Sequence, residues 1–146
     1  MNKTQEKAMQ IVANHAPKHL KNQFGQIHFS GKYAYVTDSY QGYRIPCTNT
    51  ATWSIRSWKY PQDKLDSVME IDDSWNKYFL NTDVVRDNGY FKLVRIGQCY
   101  YDVKKVKKAI QILGKNTIAY QDNSKKNAGI VLESDKGNGF ILPVIS

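Results

Sequence analysis

The chain has 146 residues, a formal net charge of +8 and an aromatic content of 12%. This length fits one domain with a core of its own, so we predict a single domain over residues 1–146. The sequence contains neither an apolar signal core nor a run of about 18 apolar residues, which argues against secretion and membrane spanning and predicts a cytoplasmic protein. The basic charge favours partners that carry phosphate or an acidic surface.

A helix is predicted over residues 3–15, and Pro17 ends it because the residue before a proline is disfavoured in the helical conformation. Lys3 and Lys7 fall on its polar face. The opposite, apolar face is formed by Ala8, Ile11, Val12 and His15. Strands are then predicted at 26–29, 33–37 and 40–45, where residues that favour β-structure flank short turns.

The middle of the chain has weaker patterns. Between residues 46 and 89 only 63–70 suggests a helix, among scattered aromatic side chains. Trp53, Trp58 and Trp75 in this region are candidates for a partner-binding surface.

The second half of the chain begins with a strand predicted at 90–96 and a helix over 103–113. Asp102 stands at the N-cap position of this helix and Gly114 at its C-terminal stop. Its apolar sector is formed by Val106, Ala109, Ile110 and Leu113, and the opposite side by Lys104, Lys105, Lys107 and Lys108. Strands are predicted at 117–121, 129–133 and 139–145; the last should lie at an edge or lose its pairing at Pro143, because proline cannot donate a hydrogen bond to a neighbouring strand.

These elements predict an α+β fold built from two βαβββ-like halves, with both helices on one side of a curved antiparallel sheet. Residues 1–45 form the first half, 46–89 an aromatic-rich connecting region and 90–146 the second half. The repeat is one of architecture, since the two halves lack convincing residue-by-residue identity.

Residues with catalytic or metal-binding chemistry are sparse. His15 and His19 have helical metal-ligand spacing, but Pro17 interrupts the helix between them and the spacing supplies no third ligand. Cys47 and Cys99 are far apart and lie outside any motif for zinc binding or nucleophilic catalysis, so we expect two reduced thiols. We therefore predict a protein that is not an enzyme and that uses neither a metal nor a cofactor.

The helix predicted over 103–113, called the lysine helix from here on, has two interpretations. Charged helix faces are commonly just solvated. If instead the two predicted helices lie side by side, Lys3 and Lys7 would join the four lysines of the second helix in one basic surface. Such a surface would follow phosphates without reading bases, because lysine is a flexible point charge.

Three segments also resemble the domains of DNA polymerase sliding clamps, the family of the polymerase III beta subunit. They are Tyr33-Ala-Tyr-Val-Thr-Asp-Ser-Tyr-Gln-Gly-Tyr-Arg-Ile, Tyr100-Tyr-Asp-Val-Lys-Lys-Val-Lys-Lys-Ala-Ile-Gln-Ile-Leu and Gly139-Phe-Ile-Leu-Pro-Val. In that family, basic helix faces line a central hole through which duplex DNA slides. By position, the resemblance assigns this contact to Lys104, Lys105, Lys107 and Lys108, and also to Lys3 and Lys7.

The resemblance implies a replication-associated, non-specific DNA-binding protein that could work alongside replication proteins. Family rings contain six such domains, so this chain would need six copies to close one. Residues 46–88 have no counterpart in the family pattern, and the richness in lysine and asparagine would suit a phage or mobile element. The alternative is a protein–protein interaction module of the same fold with no DNA role, which would use the aromatic region 53–79.

Overall fold

The structure is a computed structural model that describes residues 1–47 and 60–144. Within these residues the α-helices are α1 (Lys3–Asn14), α2 (Lys21–Phe24), α3 (Gln62–Val68) and α4 (Val103–Leu113), with a short 3₁₀ turn at Lys18–Leu20. The strands are β1 (His28–Phe29), β2 (Tyr33–Thr37), β3 (Gln41–Pro46), β4 (Asn76–Phe79), β5 (Val84–Asp87), β6 (Lys92–Ile96), β7 (Cys99–Asp102), β8 (Ile118–Gln121), β9 (Ile130–Ser134) and β10 (Gly137–Ile141). The predicted α+β class is confirmed.

The two long helices begin where the sequence supplies a cap. The Asn2 side chain accepts a hydrogen bond from the backbone N–H of Gln5, and the Gln5 side chain accepts one from the Asn2 N–H, which forms a capping box at α1. At α4 the Asp102 carboxylate accepts from the Lys104 N–H, and Gly114 follows the last helical residue with a φ of 97°. Both predicted ends of the lysine helix are confirmed.

Seven strands form one antiparallel sheet in the order β1-β2-β3-β10-β9-β8-β4. The three strands after α1 therefore appear in the order β1-β2-β3, and the three strands after α4 appear beside them in the reverse order, β10-β9-β8. The two sets join where β3 pairs with β10. Gly42 is opposite Phe140 in this central pair. A Cβ on Gly42 would collide with the Phe140 ring, so the join between the two sets requires a glycine.

Apolar side chains from α1 and α4 pack against one face of this sheet in a single core. Buried members from the helices include Met9, Val12, Val106 and Leu113, and Leu132 contributes from the sheet. The opposite face of the sheet carries a second cluster around Tyr35, Tyr60, Leu65, Met69, Val131 and Phe140, which α3 helps to cover. The helices α1 and α4 thus share one side of the sheet, and α3 lies on the other.

A second, three-stranded sheet has the order β5-β6-β7. The buried Gln121 side chain on β8 connects it to the large sheet, because its amide nitrogen donates to the Ile96 carbonyl at 3.0 Å and its amide oxygen accepts from the Gln98 N–H at 3.0 Å. Since β7 runs directly into α4, this small sheet determines where the lysine helix starts.

Several predicted details are wrong. Strand β7 (Cys99–Asp102), which enters α4, was not predicted, whereas the strand predicted at 90–96 is present as β6 (Lys92–Ile96). Strands β4 and β5 were not predicted, since both are short and exposed and lack an alternating buried face. His15 is exposed, although the apolar face was predicted to include it; the buried side of α1 is instead extended by Gln5.

The described residues include no helix that is long and apolar enough to cross a membrane. Both Cys47 and Cys99 are free thiols.

Candidate nucleic-acid interface

The four lysines of α4 lie on the side of the helix that faces away from the core. Val103, Val106, Ala109, Ile112 and Leu113 are buried, whereas Ile110 is only half-buried. Lys104 and Lys107 are exposed, and Lys105 and Lys108 are half-buried. Because five buried side chains hold the opposite face of α4 against the core, the lysine face is held in a fixed orientation toward solvent.

Helices α1 and α4 are adjacent and antiparallel. The buried Gln5 amide near the start of α1 donates to the Ile112 carbonyl near the end of α4, at 3.0 Å. At the other end of the pair, Ile11 and His15 of α1 face the first turns of α4. The two helices therefore present their outer faces side by side.

An open cleft of about 510 Å³ lies between these outer faces. Its α4 wall is formed by Asp102 at the N-cap and by Lys104, Lys105, Lys107, Lys108 and Gln111, and its α1 wall by Ile11, Val12 and His15. The structure thus brings the four predicted lysines together along one groove. His15 joins them there, a placement that the sequence reasoning missed because the residue was assigned to the apolar face.

Buried polar groups form the floor of the cleft. The Asp38 carboxylate accepts hydrogen bonds from the backbone N–H groups of Tyr40 and Gln41 and from the Gln41 side chain. The Tyr43 hydroxyl donates to the Gln41 side-chain oxygen at 2.8 Å. Burial raises the pKa of Tyr43, and the nearby Asp38 carboxylate raises it further, so this phenol remains protonated and continues to donate.

Tyr40 supports one of the lysines directly. The Lys105 ammonium lies 4.8 Å from the centre of the Tyr40 ring, within the range of a cation–π contact. The turn between β2 and β3 that carries Tyr40 also contains Ser39, a non-glycine residue with a φ of 80°. The sequence offers a signal for the turn, through Asp38-Ser39, but none for its contact with α4.

Lys3 and Lys7 begin a row along α1 that continues through Ile11 and His15 at intervals of four residues; each interval turns by about 40°, so the row runs from the polar face at Lys3 to the side next to α4 at His15. Both lysines are exposed. Neither lines the cleft itself, because the antiparallel arrangement places the start of α1 beside the end of α4. They extend the basic surface beyond the cleft instead of adding to its walls.

The aromatic candidates for a partner surface are placed differently. Trp75 is half-buried and packs against the second core cluster, on the sheet face opposite α1 and α4. Trp53 and Trp58 lie outside the described residues. On this same face Arg44 forms an ion pair with Asp66 at 2.7 Å, and the Asp66 carboxylate also accepts from the Tyr35 hydroxyl.

Two of the histidines, His15 and His19, lie at and just beyond the end of α1. His15 caps the end of α1 and His19 lies in the following 3₁₀ turn, both exposed. Within residues 1–47 and 60–144, no group of three or more His, Cys, Asp or Glu side chains is arranged to hold a metal ion.

Comparison of the chain with protein-family models, with curated proteins and with solved structures gives no significant match.

Proposed function

We propose that this protein binds duplex DNA without sequence preference through the lysine face of α4. The observation that carries the proposal is the alignment of Lys104, Lys105, Lys107 and Lys108 along an open cleft on a helix whose other face is anchored in the core. A row of positive charges attracts the phosphates of a DNA backbone. Each phosphate that a lysine neutralises releases counterions, and this release increases the affinity.

The chemistry of the row favours contacts with the DNA backbone over base reading. A lysine ammonium is a point charge on a flexible stem, whereas base edges are read best by planar groups that form two parallel hydrogen bonds. The α4 face of the cleft contains four lysines and no arginine. Contacts of this kind hold DNA at any sequence and allow it to move along the protein.

A clamp-like mode of binding is part of this proposal. It is supported by the local sequence resemblance, by the mirror order of the strands after α1 and α4, and by the placement of both helices on one side of the sheet. A ring would take six copies of the chain. A solution mass of six copies would support a ring that encircles DNA, whereas a single copy would restrict the proposal to a contact on one side of the duplex.

The test replaces Lys104, Lys105, Lys107 and Lys108 together with glutamine. Binding of a labelled duplex is measured by fluorescence anisotropy over a range of salt concentrations. We expect weaker binding and a shallower salt dependence, with the slope of log K against log salt reduced by about 0.9 for each lost phosphate contact, or about 3.6 for four.

A second variant carries the same change in net charge at other exposed sites, with glutamine at Lys32, Lys64, Lys125 and Lys126. This control should keep most of the wild-type affinity and slope, because the charge is removed away from the helix pair. Equal losses in the two variants would mean that only the net charge of +8 attracts DNA, and the proposed interface would be wrong.

A further inference from the structure

We propose that the turn between β5 and β6 contacts unpaired bases, so that the preferred substrate is duplex DNA with an adjoining single-stranded stretch. This inference rests on the proposed DNA-binding function and specifies its substrate. It concerns two aromatic side chains, Tyr90 and Phe91, that neither the core nor the lysine cleft uses.

The two rings are unusually exposed. Tyr90 is 90% exposed, the largest fraction among the described large apolar side chains, and Phe91 is 47% exposed. An isolated exposed aromatic residue is ordinary, but here two adjacent residues at the tip of a hairpin leave most of Tyr90 and about half of Phe91 in water. They therefore contribute little to folding and remain available for a partner.

Hydrogen bonds hold the turn in one shape. The Asn88 side-chain oxygen accepts from the backbone N–H groups of Tyr90 at 3.0 Å and Phe91 at 2.7 Å, and the Asn88 N–H donates to the Phe91 carbonyl at 3.2 Å. Gly89 has a φ of 87°, which a residue with a side chain rarely adopts. A preorganised backbone lowers the entropy lost when the rings engage a partner.

The register of the small sheet places this turn beside the start of the lysine helix. Leu93 on β6 pairs with Asp102 on β7, and Asp102 caps α4 at Lys104. Three residues at about 3.3 Å each and one inter-strand spacing of about 4.8 Å keep the Tyr90 backbone within about 15 Å of Asp102. The aromatic turn and the lysine row can therefore contact one DNA molecule.

The small sheet next to the lysine helix carries both basic and acidic side chains, with Asp102 at the helix start and Asp87 opposite Lys92. Lys92 is exposed at the start of β6, and the Arg86 guanidinium lies 4.4 Å from the centre of the Tyr100 ring on the same small sheet. The Asp87 carboxylate beside the turn accepts from the Gly89 N–H, so part of its charge is engaged within the turn. Over residues 84–102 the side chains of Arg86, Lys92 and Arg95 outnumber the carboxylates of Asp87 and Asp102, and this net positive charge favours a nucleic acid over an apolar partner at the turn.

The size of the aromatic pair also favours bases over a second protein molecule. Two aromatic side chains bury about 300–500 Å² at most, whereas a specific protein–protein interface needs about 1,000 Å² in total. A flat ring can stack on any base, and such a contact strengthens binding by about fivefold or more for each base. Bases inside an intact duplex are already stacked, so an unpaired stretch is the fitting partner.

The experiment compares three labelled DNAs at one salt concentration by fluorescence anisotropy. They are a blunt duplex, the same duplex with a single-stranded thymidine tail, and the same duplex with an abasic tail of equal length. The two tailed DNAs carry the same phosphates, so a difference between them reports contacts with bases alone. We expect the wild-type protein to bind the thymidine tail at least about fivefold more tightly than the abasic tail.

Two double variants test whether the rings make this contact. Tyr90→Ala with Phe91→Ala should bind both tailed DNAs equally while keeping the affinity for the blunt duplex. Tyr90→Leu with Phe91→Leu keeps much of the apolar area without a flat ring, so it should lose the preference as well. The matched control is Phe79→Ala, which removes a 76% exposed ring from β4 in the other sheet and should keep the preference.

The outcomes separate the two proposals. Equal binding of thymidine and abasic tails by the wild type, with the blunt duplex still bound, overturns the base contact and leaves the lysine interface standing. Failure to bind any of the three DNAs overturns both. A self-association that the alanine variant abolishes would identify the turn as an interface between copies of the chain, and would also overturn the base contact.

Discussion

At the scale of single residues, His28 shows how a polar side chain is held inside this fold. Only 3% of it is exposed, its ring stacks on Tyr60 at 4.3 Å between centres, and its Nε2 lies 3.3 Å from the Gln62 side-chain oxygen. Burial lowers the pKa of His28, and the hydrogen bond with Gln62 offsets part of that effect. The sequence around His28 does not show whether this side chain is buried, because a two-residue strand is too short to display an alternating pattern.

The lowered pKa of His28 predicts a loss of stability in mildly acidic solution. The unfolded chain, in which the pKa of histidine is about 6.5, binds the proton more tightly than the folded chain does, so the free energy of unfolding falls as the pH drops through about 6.5. Urea denaturation at pH 7.5, 6.5 and 5.5 would measure this slope. His28→Gln should flatten it, and His19→Gln, at an exposed histidine, should leave it unchanged; an unaltered slope in His28→Gln would assign the effect to other groups.

At the scale of elements, Gln121 holds the small sheet against the large one. Besides its bonds to Ile96 and Gln98, its amide nitrogen donates to the Tyr101 hydroxyl at 2.8 Å, and that hydroxyl donates to the Ala128 carbonyl. The side chain is fully buried. The alternating pattern of β8 predicts a strand, but it does not show that a glutamine on that strand bonds to the end of β6, 25 residues earlier.

Gln121→Leu should therefore destabilise the protein by about 1–3 kcal/mol, since it leaves the buried Ile96 carbonyl and the Gln98 N–H without their partner. The free energy of unfolding from urea titration measures the effect. Gln98→Leu changes an exposed glutamine of the adjacent turn and should cost far less. Equal effects of the two substitutions would show that the buried bonds of Gln121 do not determine the stability of this junction.

At the scale of the whole molecule, one core includes side chains from both helices and from both sheets. Met9 of α1, Val106 of α4, Leu132 of β9 and Val94 of β6 all belong to it. Because the two helices share this core with the sheets, the two halves of the chain should unfold together. The lysine face depends on the same packing, since the buried side of α4 is part of that core.

Met9→Ala tests this cooperativity. Met9 is completely buried, so the substitution should lower the free energy of unfolding by about 2–5 kcal/mol. Far-UV circular dichroism and tryptophan fluorescence should still report one coincident transition. Val68→Ala, at an exposed position of α3, should change the stability by no more than about 0.5 kcal/mol. Two separate transitions would contradict a single cooperative unit.

Local sequence was sufficient to predict the helices and strands that are marked by capping residues, helical periodicity or β-favouring residues. The bounds of α4 follow from Asp102, Gly114 and the opposed apolar and lysine faces, because caps and helical periodicity act within a few residues. Strands rich in β-favouring residues and bounded by turn residues, such as β2 and β9, were predicted because those signals are also local. Strands β4 and β5 were missed. Both are edge strands with little buried surface, so their sequences show no alternation of apolar and polar residues.

The sequence by itself determined the class of the fold, the two principal helices and the four lysines on one helix face. Tertiary structure alone decided that α1 packs antiparallel to α4, that β3 pairs with β10, that His15 meets the lysines at the cleft, and that Tyr40 contacts Lys105. It also placed the turn at Tyr90 beside the start of α4. The physical reason is that caps and periodicity are short-range, whereas these contacts join residues tens of positions apart and form only when the common core is buried.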